Sequence, residues 1–177
     1  MKESFAVDMY NQYAYYRCRE FINAKNFKAK KNILGIFGLK NVGKTRLLKK
    51  VEECLIKEKV DVKFVSATEL IGKISEARKS KDVFLRKLKK EFRNAEVVLI
   101  DGVQELFWDD KIHNTYNRFY SYLMRHRKSV VFTHDCGDER MYSTMQGLSE
   151  LDMGFNLVGI PKPGQNRKIK AIEIIEA

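Results

Sequence analysis

Two hydrophobic patterns alternate along this chain: stretches with apolar residues at helical spacing, and short unbroken apolar runs. Residues 9–24 carry Tyr10, Tyr13, Ala14, Cys18, Phe21 and Ile22 at mixed helical spacings and predict an amphipathic helix; residues 25–31 are basic and polar, a loop. Residues 32–37 form a short apolar run that reads as a buried strand. After a glycine-bearing turn, residues 45–59 return to helical spacing through Leu47, Leu48, Val51 and Leu55. Residues 60–65 alternate as a second strand. Residues 67–80 and 81–94 predict two helices, the second with Val83, Phe84, Leu88 and Phe92 on one face. Residues 95–100 are a fully apolar strand ending at Asp101, 111–127 a tyrosine-rich helix and 129–133 a further strand. A short helix over 141–150 and late strands over 155–160 and 169–174 complete the reading. Strands alternating with helices predict an α/β fold, a parallel sheet covered on both faces.

The turn after the first strand carries chemistry. Residues 38–45, Gly-Leu-Lys-Asn-Val-Gly-Lys-Thr, have the G-x-x-x-x-G-K-[ST] spacing of a phosphate-binding loop. Its glycines let backbone N–H groups curl around phosphates, and the following helix directs its positive end at them. Lys44 is expected to reach the β- and γ-phosphates, and the Thr45 hydroxyl to ligate magnesium. Gly38, Asn41, Gly43 and Arg46 complete the nucleotide-binding candidates from this loop. The loop follows an apolar strand and precedes a helix, which separates it from a chance glycine turn. A carboxylate at the end of a neighbouring buried strand is needed to hold the metal, and Asp101 supplies it. Many hydrolysing P-loop ATPases place a second acid next, to orient the attacking water; here the residue is Gly102. Glu105, three residues on, is the remaining catalytic candidate. ATP or ADP with Mg²⁺ is the expected ligand, with weak or no hydrolysis.

Composition narrows the setting. Hydrophobic residues make up 44% of the 177, enough for one sizeable core, and no composition break or repeat marks a second domain. No apolar run approaches the roughly 20 residues of a membrane helix, and the first residues lack the apolar stretch of a signal peptide. The three cysteines, Cys18, Cys54 and Cys136, include no C-x-x-C pair and suit reduced thiols in the cytoplasm. A net charge of +11 favours a polyanionic partner, nucleic acid first, against a merely solvated basic surface.

With these residues in view, the chain resembles the AAA+ ATPase domain of the bacterial replication initiator DnaA. Residues 5–14 are similar to the family's opening F-V-x-G-x-x-N-x-x-A, residues 63–69 to its V-x-Y-V-S-A-E strand, and residues 98–104 to L-L-I-D-D-I-Q. Residues 131–135 resemble the L-S-S-D strand end called sensor I, and residues 157–163 the last core strand with its proline-containing exit. The likeness runs over nearly the whole length. It implies a three-layer P-loop NTPase, an AAA+ core with a parallel five-stranded sheet, forming one domain over residues 1–177. Residues 1–31 would border the adenine pocket, making Asn11 a nucleotide-binding candidate, and Asp135 would act as the sensor beside the phosphates.

The departures shape the functional expectation. Gly102 stands where the family has a second Asp, and no arginine lies between Arg140 and Arg167, where the family carries the arginine that reaches a neighbour's nucleotide. Nothing in the 177 residues corresponds to the helical lid or to the DNA-binding helix-turn-helix domain. The Met1 start suggests a full-length chain. In the family, the helices after the second strand grip single-stranded DNA, which makes Lys79, Lys81, Arg86, Lys87, Lys89 and Lys90 the nucleic-acid-binding candidates, against a solvated amphipathic helix. The expectation is a cytoplasmic, DnaA-like ATP-binding protein of replication initiation or its regulation, partnered by a replication protein. Alternatives are a DnaC-type helicase loader and an interaction module with a vestigial nucleotide site.

Overall fold

The computed structural model describes residues 7, 11–24, 27, 32–76, 81–135 and 155–160, the last six and residues 81–84 by backbone alone. Their order is α1 (Gln12–Asn23), β1 (Ile33–Gly38), α2 (Lys44–Lys57), β2 (Val62–Ser66), α3 (Ala67–Glu76), α4 (Lys81–Glu91), β3 (Val97–Asp101), a 3₁₀ turn (Val103–Phe107), α5 (Asp110–Arg125), β4 (Ser129–Asp135) and β5 (Phe155–Ile160). The expected helix over 141–150, the strand over 169–174 and residues 5–6, 8–10, 148–154 and 161–163 lie outside the described residues, as does Cys136.

The strands are parallel and run in the order β2-β3-β4-β1-β5. The unbroken apolar runs explain the centre of this sheet. Every residue of β1 is buried, as are the first four of β3 and the first five of β4. Side chains alternate across a strand, so each run feeds two cores. Ile33, Phe37, Val98, Ile100, Val130 and Phe132 join α3, α4 and α5 on one face. Leu34, Ile36, Val97, Leu99 and Val131 join α1 and α2 on the other. The helices meet these faces with the stripes read from their spacing, Ala14, Cys18 and Phe21 on α1 and Leu47, Leu48, Val51 and Leu55 on α2.

Three details depart from the sequence reading. The turn at Val103–Phe107 was not expected at all. β4 continues past Thr133 to Asp135, because its ladder with β1 pairs Phe37 with His134 and Gly38 with Asp135. Asp109, to which the sequence reading gave no role, caps α5: its Oδ1 accepts from the N–H groups of Lys111 at 2.8 Å and Ile112 at 3.0 Å.

The fold positions the site through register. Gly38 pairs with Asp135 and Ser66 with Asp101, so the chain leaves β1, β2, β3 and β4 along one edge of the sheet. Ligands of open parallel sheets bind at such carboxyl ends.

Candidate nucleotide site

β1 hands directly to the 38–45 loop, whose backbone needs its residue types. Gly43 adopts φ 100° as the residue before α2, and Asn41 sits at φ 67°. These are left-handed conformations that glycine takes freely and asparagine tolerates better than most residues. Gly43, the N-cap of α2, makes no side-chain cap bond, and a helix N-terminus of this kind is a ready site for an anion.

Lys44 is buried and its ammonium is held on three sides. It donates to the carbonyls of Gly38 at 2.9 Å and Leu39 at 2.5 Å, and pairs with Asp135 Oδ1 at 2.7 Å. A charge taken out of water needs such partners. Here they aim it into a cleft of about 570 Å³ whose lining includes Asn41, Gly43, Thr45, Arg46, Asp101, Glu105, Thr133 and Asp135.

Thr45 and Asp101 meet across 56 positions of sequence. The Thr45 hydroxyl donates to Asp101, with oxygens 2.9 Å from Oδ2 and 3.1 Å from Oδ1. Two hard oxygen donors at that separation fit neighbouring corners of an octahedron with metal–oxygen distances of about 2.0–2.1 Å, the geometry Mg²⁺ demands. Asp101 is itself anchored: the buried Thr133 hydroxyl donates to its Oδ1 at 2.5 Å and accepts the Gly102 N–H at 2.8 Å. The Asp135 N–H donates to Gln104 Oε1 at 3.0 Å. β4 therefore stands between the loop strand and the Asp101 strand and ties both ends of the site together.

The sequence reading did not single out Thr133 or Gln104 as site residues. Thr133 did carry a signal, as a polar residue directly after the apolar run at 130–132. Gln104 carried none, since its partner is a backbone N–H on another strand.

Gly102 stands at φ 77°, ψ 39°, a left-handed turn that starts the 3₁₀ segment. Glu105 follows within that segment, lines the cleft, and accepts from the Thr68 hydroxyl at 2.9 Å. His134, between Thr133 and Asp135, stacks on Phe37 with ring centroids 5.3 Å apart, and its Nδ1 is buried with no partner among the described residues. Burial pushes its imidazole below the usual value, Asp135 opposes and Lys44 adds to the depression. Asn11 is buried beside the start of α1 and does not line the cleft.

The basic segment divides. Lys79 and the Lys81 side chain lie outside the described residues. Arg86, Lys87 and Lys90 are exposed on α4, while Lys89 packs over the Tyr122 ring at 5.6 Å and Tyr122 donates to the Lys89 carbonyl. Lys73, part of the same basic run, is held by Glu69 at 2.8 Å and Glu91 at 2.9 Å.

A family model, the bacterial DnaA ATPase domain, matches residues 1–157. The chain is 28% identical over 171 residues to the chromosomal replication initiator protein DnaA of Nautilia profundicola, covering 96% of this chain and 38% of that protein. It is 24% identical over 176 residues to the same protein of Onion yellows phytoplasma, covering 97% and 34%. The chain thus spans little more than a third of these curated relatives. Among solved structures, a replication initiator DnaA bound to AMPPCP and single-stranded DNA superposes with a TM-score of 0.70 at 21% identity, covering 90% of this chain and 49% of that one. A DnaC helicase loader superposes with a TM-score of 0.71 at 18% identity, covering 88% and 93%. Identities this low show the fold alone, an α/β fold with a parallel sheet and AAA+ P-loop neighbours.

Proposed function

Because the chain belongs to the bacterial DnaA ATPase domain family, we propose that it is a DnaA-like ATP-binding protein of DNA replication initiation or its regulation, holding Mg-ATP or ADP with weak or no hydrolysis. One observation carries the nucleotide half: Lys44, Thr45, Asp101 and Asp135 converge from β1–α2, β3 and β4 on one cleft. In this reading residues 1–177 form one AAA+ core, three-layered with five parallel strands, and act in the cytoplasm.

The site would work as follows. The N–H groups of the 38–45 loop and the first turn of α2 bind the phosphates, and Arg46 adds charge at the rim. Lys44, already desolvated, neutralises the β- and γ-phosphate oxygens while Asp135 keeps its ammonium aimed at them. The Thr45 hydroxyl and the Asp101 carboxylate hold magnesium, Asp101 as a ligand or through a water, with Thr133 fixing the carboxylate. Held there, the ion would offset phosphate charge. Position 102 offers no carboxylate to an attacking water, which supports weak turnover. Asn11 would act on the adenine side through the buried start of α1 rather than by lining this cleft.

Single-stranded DNA is the proposed nucleic-acid ligand, after the relative solved with it. Arg86, Lys87 and Lys90 are the exposed groups that suit phosphate neutralisation, with Lys79 and Lys81 on the same segment; Lys89 is tied to Tyr122. The second reading, a helicase loader of the DnaC type, draws on the DnaC likeness, which takes in 93% of that chain against 49% of the DnaA one.

Co-elution of the purified protein with the replication initiator or the replicative helicase of its source cell, with and without Mg-ATP, tests the role. Nucleotide-dependent co-elution with the initiator supports the leading reading. Co-elution with helicase alone favours the loader, and binding to neither counts against both.

A further inference from the structure

The acid missing at position 102 has a counterpart one 3₁₀ turn later. Gly102 is the N-cap of the 3₁₀ segment Val103–Phe107, and the Glu105 N–H donates to its carbonyl at 3.1 Å, which closes one 3₁₀ turn between the two positions. A Cβ built on Gly102 would lie 4.0 Å from Glu105 Oε1. By standard bond lengths, a glutamate at 102 would carry its own carboxyl oxygens roughly 3–4 Å from that Cβ. The Glu105 carboxylate thus reaches the region an acid at 102 would serve, from a different backbone position. Its other oxygen is fixed by the Thr68 hydroxyl at 2.9 Å, and both Glu105 and Thr68 line the cleft that holds Thr45 and Asp101.

We propose that Glu105 is the catalytic acid–base group of this site, placed in the 3₁₀ turn instead of at the strand tip, and that whatever ATP turnover the protein has runs through it. The inference rests on the reading of the cleft as an ATP site. Glu105 accepts a hydrogen bond from the attacking water and orients it. The water oxygen bonds to the γ-phosphorus as the bond from that phosphorus to the bridging oxygen breaks. The bridging oxygen leaves on ADP with the electron pair, and the proton shed by the water passes to Glu105 and then to solvent. Gly102 is what permits this arrangement: its left-handed φ of 77° turns the chain so that residue 105 comes back over the strand end.

Glu105→Gln tests it, because the amide oxygen can still accept from Thr68 and the site is exposed, so the fold is retained. Phosphate release from ATP and the affinities for ADP and a non-hydrolysable triphosphate analogue are measured for wild type, Glu105→Gln and Lys44→Ala. Wild type is expected to release phosphate slowly but above Lys44→Ala, and Glu105→Gln to fall about 100-fold. Glu105→Gln should keep nucleotide affinity, with its preference for the triphosphate analogue over ADP raised about threefold by removal of a like charge near the γ-phosphate. The proposal is overturned if wild type releases no more than Lys44→Ala, if Glu105→Gln turns over like wild type, or if Glu105→Gln loses nucleotide affinity. Absence of nucleotide affinity in the wild type would instead defeat the ATP-site reading.

Discussion

Replacing Thr133 by valine removes one hydroxyl and almost no volume, yet two groups lose their partner. The Thr133 hydroxyl donates to Asp101 Oδ1 and accepts the Gly102 N–H while fully buried. A hydrogen bond to a charged group contributes about 1.5–3 kcal/mol, and a buried donor left unpaired costs about 1–3 kcal/mol. Asp101 is only half-buried and keeps its bond from Thr45, so the low end of the first range applies. The sum is about 2.5–4.5 kcal/mol. At about 2–4 °C per kcal/mol for a chain of this size, thermal unfolding should move down by roughly 5–18 °C. Thr133→Ser keeps both bonds and removes one methyl, a loss near 1 kcal/mol. Thr115→Val is a second control: that buried hydroxyl donates to the Lys111 carbonyl one helical turn back at 2.8 Å, and losing it orphans no backbone N–H. Circular dichroism melts of the three variants decide the matter. If Thr133→Val melts with Thr133→Ser, the hydroxyl bridge does not hold the strand ends together and the account of the site's rigidity is wrong.

Three further outcomes follow from the same structure. The folded-state pKa of His134 is depressed by burial, so in the window between its ordinary value near 6.5 and the folded value the unfolded state binds more protons. Stability should therefore be complete above that ordinary value and decline as pH falls below it; His134→Gln should flatten this part of the pH–Tm curve, and an unchanged curve would show that His134 does not titrate out of the fold. The Cys18 thiol is buried and pushed up to about 12, so mass spectrometry after brief iodoacetamide treatment should find it unlabelled in native protein and labelled in denaturant, while half-buried Cys54 reacts natively; native labelling of Cys18 would refute the packing of α1. Charge reversal at Arg86, Lys87 and Lys90 should abolish single-stranded DNA binding measured by fluorescence anisotropy at low salt and remove its salt dependence, whereas reversal at Lys73, already held by two glutamates, should change it little; equal loss from both would place the contact elsewhere.

How much of this was legible beforehand depended on where each residue's partner lies. The β1–loop–α2 unit could be read because its signals are local: an apolar run, glycines at fixed spacing, and Leu47, Leu48, Val51 and Leu55 on one helical face. Asp101 could be read because it ends an apolar run. The 3₁₀ turn at Val103–Phe107 could not, since five residues of mixed polarity fit neither a period of 2 nor one of 3.6. Its cause is a single left-handed glycine whose conformation no spacing announces. The continuation of β4 to Asp135 was hidden from the apolar pattern, though not from the likeness to the sensor I strand end: His134 and Asp135 are polar, and the ladder with β1 keeps them in the strand. Nothing local marks the pairing of Lys73, since its partner Glu91 lies eighteen positions away on the next helix. Asn11 could be suggested only by family likeness, for the adenine side, and the fold buries it at the start of α1.

The central claim is that Lys44, Thr45 and Asp101 together hold a magnesium-bound nucleotide. Isothermal titration calorimetry with ATP in magnesium and in EDTA tests it most directly, on wild type, Lys44→Ala and Asp101→Asn. The account predicts saturable binding to wild type that weakens in EDTA, a loss of at least about tenfold for Lys44→Ala from its charge-assisted phosphate contacts, and an Asp101→Asn affinity that no longer responds to magnesium. Wild-type protein that takes up no ATP, or variants that bind it as wild type does with the same magnesium dependence, would contradict it.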